Sequence, residues 1–278
     1  MSINNSKWIK IFKQSKVSPE FQKWIKKEDS FVFQLDSDDF KSVNLRPVRM
    51  IPMYSRSDIP GVFRELGIEL LRNKDGGCLL IKTEKLKQPS LFPTLMEPQK
   101  IYKGLPFIPI PQLSVFKDKE LQNEETGIHL GWALGIFQAF FIEIFSPYEE
   151  FFLGGRIRTK AKGNYIINST NYAINTQVEA DSYFESEKSI VVLESKFTPF
   201  DKPLKSFSLH QLLLPLVLIK SISEKPAKAI FMDFSMRIIN EKVQLRFLLY
   251  LFSFFYKGAN INPFSYNLEN SKKYIIQF

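Results

Sequence analysis

Residues 190 to 197 read IVVLESKF, an apolar and β-branched run that ends in a glutamate and a lysine two positions apart. Side chains alternate faces along an extended strand, so Glu194 and Lys196 share one side with Ile190 and Val192. Upstream, INTQVEAD closes on Asp181, with Gln177 and Glu179 on its side and Ile174, Thr176 and Val178 on the other. The polar link SYFESEKS is short enough for an antiparallel hairpin, which predicts Asp181 and Glu194 as neighbours at a sheet edge. Two carboxylates that close repel unless a cation lies between them, and hard oxygen donors favour Mg²⁺, with Mn²⁺ as a substitute. An ammonium beside such a cation orients or helps deprotonate a water and offsets charge developing on a phosphorane. The implied chemistry is phosphodiester hydrolysis, with Asp181 and Glu194 as metal ligands and Lys196 as the third catalytic group. A second acid-x-Lys, Asp39-Phe40-Lys41, lies in LDSDDFKS without an apolar strand before it and reads as a solvated turn.

Asp181 followed by Glu194-Ser195-Lys196 resembles the PD-(D/E)xK nuclease superfamily, with Ala180 standing where its motif has proline. The wider series GGRIRTK, TQVEAD, IVVLESKF, HQLLLP and AIFMDFS is similar to a group of bacterial type II restriction endonucleases, over roughly residues 125 to 256 with an echo over 45 to 85. The resemblance implies a restriction-endonuclease-like core, Mg²⁺-dependent cleavage of double-stranded DNA, and a separate cognate methyltransferase that protects the host. It also gives roles to further residues, each beside a plainer one. Glu179 is a metal ligand, a residue behind the ligands, or solvated. Gln211 is the glutamine that faces the metal, or a helix-surface residue. Glu143 is a helix-borne acid of the site, or a surface acid.

Arg156 and Arg158, after Gly154-Gly155, either grip phosphate or carry a structural ion pair at a bulge. Arg46, Arg49 and Arg56 are candidates for reading guanine edges.

The elements that must position these residues follow from pattern. Residues 7 to 28 interleave Trp8, Ile9, Phe12, Phe21, Trp24 and Ile25 with lysines, as two amphipathic helices broken near Ser18-Pro19. SDIPGVFRELGIELLRNKDGGCLLIKTE predicts a short helix over 60 to 66 and a β-hairpin turning at Asp-Gly-Gly, a winged-helix-like order. Prolines crowd residues 88 to 112, a linker. The expected division is a DNA-recognition region over 1–120 and a nuclease domain over 121–278. In the second half, 127 to 145 reads as one buried helix, followed by strands near 150–159, 172–181 and 189–197. A helix over 206 to 220, a strand at KAIFMDF and a final strand pair around 235 to 252 complete it. The fold class is α/β, a mixed sheet flanked by helices behind an N-terminal α+β region.

A net charge of +9 suits a polyanionic partner. The single cysteine, Cys78, excludes an internal disulfide and makes a cytoplasmic setting the default. The first residues do not read as a secretory signal, and the apolar runs are too short for the ~20 residues of a membrane span. No phosphate-binding Gly-x-x-x-x-Gly-Lys-Ser/Thr loop, zinc finger or paired-histidine motif occurs. A palindromic DNA site would call for a homodimer. The rival expectations are a structure-directed repair or recombination nuclease on the same core and a non-catalytic DNA-binding regulator.

Overall fold

A computed structural model describes residues 3–13, 17–44, 56–103, 122–240 and 242–277. Arg46 and Arg49 lie outside the described residues. In the first part, helices α1 (Ile3–Phe12) and α2 (Val17–Lys26) bury Trp8, Ile11, Val17, Phe21 and Trp24 and leave most of their lysines in solvent. Pro19 sits in the first turn of α2, where a missing N–H costs nothing, so the break between the helices falls before it. Strand β1 (Val32–Leu35), α3 (Ser37–Lys41), α4 (Gly61–Glu65), β2 (Ile68–Arg72), β3 (Cys78–Lys82) and α5 (Thr83–Leu86) follow. The three strands form an antiparallel sheet in the order β1-β3-β2.

The expected hairpin turns at Asp75 and Gly76, both at positive φ. Lys82 is buried, and its ammonium donates to the carbonyls of Trp24 (2.5 Å) and Lys27 (2.8 Å), tying the end of α2 to β3. The segment around Asp39 is helix α3 rather than a solvated turn. A capping box holds it, Asp36 N donates to Asp39 Oδ2 at 2.9 Å, and Phe40 is buried.

The remaining strands build one curled mixed sheet: β4 (Ile101–Lys103), β5 (Phe152–Gly154), β6 (Ile157–Ile167), β7 (Thr170–Ala180), β8 (Ser182–Glu185), β9 (Ile190–Phe197), β10 (Ala227–Ile239), β11 (Lys242–Lys257) and β12 (Asn260–Gln277). Their order is β5-β8-β9-β10-β11-β12-β6-β7, with β4 parallel to β12. β7 lies at one edge and β8 next to the other, yet only Asp181 separates them in the chain. The sheet must therefore curl back on itself. Helix α8 (His210–Ile222) lies in the curl against β6, β7, β9, β10 and β12, and it is buried from Leu212 to Lys220.

Each face of the sheet has its own core. Ile190, Val192, Ala229 and Phe231 pack with α8 and with the N-terminal apolar residues. Val191, Leu193, Ile230 and Met232 pack with helices α6 (Glu124–Ala133) and α7 (Ile136–Ile144).

Four expectations change. The single helix over 127 to 145 is two helices bent by 69°. Gly135, at φ 69, opens α7 in the left-handed region, and Gly127 lies where a Cβ would come within 2.5 Å of the Phe234 ring. The strand near 150–159 splits into β5 and β6 around Gly155-Arg156. KAIFMDF and SMRII form one strand, β10, while β12 went unread because its polar residues, with Pro263 among them, hide the pattern. The predicted hairpin between β7 and β9 is instead β8 with β9, because SYFE is itself a strand. Among the described residues, no single helix is long and apolar enough to cross a membrane.

Replacing Gly135 by alanine forces a side chain into the left-handed region, so Gly135→Ala is expected to lower unfolding stability by about 1–2 kcal/mol. Denaturant unfolding of the two proteins measures this directly.

Candidate active site

β8 leaves β9 after the pair Ser182↔Leu193. Beyond that point the Ser195 N–H and C=O have no strand partner on this side, and buried backbone groups must be satisfied somehow. The site's own side chains do it. Asp181, at the bend between β7 and β8, accepts from Ser195 N through Oδ2 at 2.8 Å, and Lys196 Nζ donates to Ser195 O at 2.9 Å. Lys196 Nζ also lies 2.7 Å from Glu194 Oε1 and 3.3 Å from Glu124 Oε1. Gln211, in the first turn of α8, donates from Nε2 to the same Glu194 oxygen at 2.9 Å. Asp181, Glu194, Lys196 and Gln211 thus converge.

Glu194 is 7% exposed. Burial pushes its pKa up to about 8; Lys196 acts against the rise, and Asp181 and Glu124 add to it. Burial also works against the charge of Lys196, but Glu194, Glu124 and Asp181 outweigh it, so its pKa is raised and the ammonium stays charged. The cluster holds more acid than base.

A family model described as "Domain of unknown function (DUF6997)" matches residues 96–275, well over half of the chain. The chain belongs to DUF6997. No curated protein and no solved structure matches it. The DUF6997 match spans all four converging residues and Glu124.

Glu124 was missed in the sequence reading. It opens α6, whose N-cap Asn123 accepts from Thr126 N at 2.9 Å, and the run NEET was a legible helix start. Glu143, the acid expected from this region, lies elsewhere: the bend after α6 carries it away, and it pairs with Lys272 at 2.5 Å. Glu179 lines the same cleft, where Arg156 holds it at 2.5 Å in an ion pair. Arg158 is exposed on β6, opposite Glu179 in the ladder. Arg56 is exposed at a separate hollow beside Glu69. Two further cleft residues had no sequence signal. Arg72 reaches the cleft from β2, and its N–H donates to His210 Nδ1 at 3.4 Å. Burial, helped by Arg72, lowers the His210 pKa to about 3, so this imidazole is neutral.

Two hollows of 290 and 530 Å³ adjoin at Glu124, Arg156 and Asp181, so the acids stand at the waist of a groove and not at the floor of a closed pocket. The strand end is braced from behind. Asp233 on β10 accepts from Thr198 Oγ1 and from Leu204 N (2.8 Å), and Arg246 contacts Asp233 and the Phe200 carbonyl.

Among the described residues, no three His, Cys, Asp or Glu side chains form a ready metal cage. What the site offers is narrower. Asp181 Oδ1 and Glu194 Oε2 take no hydrogen bond among the described residues, while their sister oxygens are held by Ser195 N, Lys196 and Gln211. A pair of carboxylates fits Mg²⁺, which keeps several waters and is bound through one or two carboxylates plus substrate phosphate. It does not fit a structural zinc site.

The raised pKa of Glu194 has a stability consequence. Between about 4.5, its ordinary value, and about 8, the folded protein holds a proton that the unfolded chain releases. Stability is therefore greatest below that window and falls as pH rises through it. Without divalent cations, unfolding free energy is expected to drop between pH 5 and 9 by an amount on the order of a few kcal/mol. Glu194→Gln is expected to flatten the drop, checked by denaturant titrations across that range.

Proposed function

We propose that this chain is a Mg²⁺-dependent nuclease of the PD-(D/E)xK kind that acts on double-stranded DNA as a type II restriction endonuclease. The observation that carries the reading is the end of β9, where Lys196 grips Glu194 at 2.7 Å and Asp181 takes the adjacent Ser195 N–H at 2.8 Å. Acid, acid and lysine meet in a groove, and a groove suits a polymer better than a small molecule does.

The elements around that point support it. Five strands lie between α7 and α8; with the β6–β7 hairpin set aside, helices α6 and α7, the adjacent strands β5-β8-β9-β10 and the crossover helix α8 give the α/β order helix, three strands, helix, strand, which suits a restriction-endonuclease-like core. The β6–β7 hairpin is then an insertion between β5 and β8. In the first part, helices α1 and α2 precede a β1-β3-β2 sheet that ends in the β2–β3 hairpin, an order that suits a winged-helix-like module for docking DNA.

In this reading Asp181 and Glu194 hold the cation. When bound there, Mg²⁺ supplies Lewis-acid polarisation of a phosphoryl oxygen and an acidified water. Gln211 fixes the Glu194 carboxylate so that its second oxygen faces the groove. Lys196, held charged by three acids, offsets negative charge on the phosphoryl group and orients the attacking water by donating to it. Its raised pKa argues against service as a proton acceptor. A symmetric dimer would place one such site on each strand of a palindrome, and a separate methyltransferase would protect the host.

Long unmethylated phage DNA incubated with the protein and Mg²⁺ is expected to yield discrete bands that vanish with EDTA and with Lys196→Ala. A smear would move the reading to a structure-directed nuclease. No cleavage, with binding retained, would move it to a DNA-binding regulator. With cleavage in hand, Gln211→Ala is expected to lower kcat by one to two orders of magnitude, as loss of a residue that orients a metal ligand does. Added Mg²⁺ should restore part of the loss, which single-turnover assays at several Mg²⁺ concentrations resolve.

A further inference from the structure

Three cations on β6 have no role in the site above. Arg158, Lys160 and Lys162 alternate with Thr159 and Ala161, so they share one face of the strand, and all three are exposed. Among the described residues none of the three is in an ion pair or a side-chain hydrogen bond.

Their ladder partners on β7 are Glu179, Gln177 and Asn175. Residues directly opposite in an antiparallel pair share a face, so the row continues the surface on which Gln177 and Glu179 line the groove. The one acid within β6 and β7, Glu179, is already matched by Arg156 at 2.5 Å. The far end meets the hairpin of the N-terminal sheet, where Asn175 Nδ2 donates to Asp75 Oδ1 at 3.1 Å.

Spacing and neighbours select the occupant. Two residues of strand rise about 6.8 Å, twice the ~3.4 Å axial step per phosphate along one strand of a duplex. Charge alone would draw the row to an anionic lipid surface, but stable seating there also takes apolar residues that enter it, and no large exposed apolar side chain lies on β6 or β7.

We propose that Arg158, Lys160 and Lys162 form a track for the phosphate backbone of double-stranded DNA, leading from the Asp181–Glu194 groove toward the N-terminal hairpin. It rests on the nuclease reading for the polymer in the groove, but its test needs no cleavage.

The experiment is fluorescence anisotropy of a labelled duplex in EDTA, from 50 to 300 mM salt. The wild type is compared with the triple variant Arg158→Gln, Lys160→Gln, Lys162→Gln and with a charge-matched triple variant, Lys188→Gln, Lys242→Gln, Lys257→Gln, at exposed sites elsewhere. Loss of three phosphate contacts is expected to lower the slope of log K against log salt by about 2.7 and to weaken binding on the order of a hundredfold at 0.1 M. The charge-matched variant should keep the wild-type slope. If the triple variant misfolds by circular dichroism, Lys160→Gln alone is expected to lower the slope by about 0.9.

An unchanged slope, an equal fall in both variants, or a wild type that binds no duplex would each overturn the track. So would loss of binding to phosphatidylglycerol vesicles with duplex binding intact. The two readings fail separately. Duplex binding with the expected slopes but no Mg²⁺-dependent cleavage would sink the nuclease and leave the track standing. Cleavage with an unchanged slope would do the reverse.

Discussion

The hydrogen bond from Ser195 N to Asp181 Oδ2 is the closure on which the large sheet and the acid cluster both depend. β9 outruns β8, and its next backbone N–H and C=O would be left bare at the edge of a buried strand. A chain arriving from the opposite edge of the sheet supplies the acceptor, and Lys196 folds back to supply the donor. One local requirement, the satisfaction of a single residue's backbone, thus brings together residues 14 positions apart, at the point where the sheet curls back around α8. Backbone groups left at the end of a ladder are costly when buried, and side chains that satisfy them are locked in place as a result.

That locking bears on the electrostatics. Three carboxylates surround one ammonium, and the most buried of them, Glu194, carries its pKa up to about 8. Below that pH the buried carboxyl keeps a proton that a bound cation would displace. Rigid bracing makes this tolerable: Gln211 holds Glu194 from α8, and Asp233 with Arg246 holds the segment that leaves β9. Arg72 and the neutral His210 bring the N-terminal sheet to the same groove. The apolar core on the α8 face runs without a break into the N-terminal residues, so that sheet is packed on the groove and not tethered loosely beside it.

Much of this was legible from residue types alone. IVVLESKF had to be a buried strand ending in charge, because its alternation leaves Glu194 and Lys196 on one face. The β2–β3 hairpin followed from Asp-Gly-Gly, and a helix near α8, with a core place for its apolar run, was read as well. Nearness of Asp181 to Glu194 was also foreseen, though by a hairpin between β7 and β9 that does not exist.

Local pattern by itself determined several of the strands and helices, β9 and the β2–β3 hairpin among them, and which acid and lysine stand at the end of a buried strand. Only the tertiary structure decided the company they keep. Glu124 joins the cluster and Glu143 leaves it because a 69° bend, set by one left-handed glycine, separates two helices that read as one. The polar strand β12 exists because β11 pairs with it along most of its length, not because its own residues favour extension. Alternation and capping act between near neighbours in the chain, whereas strand order and the filling of bare backbone groups are settled by residues far apart in sequence.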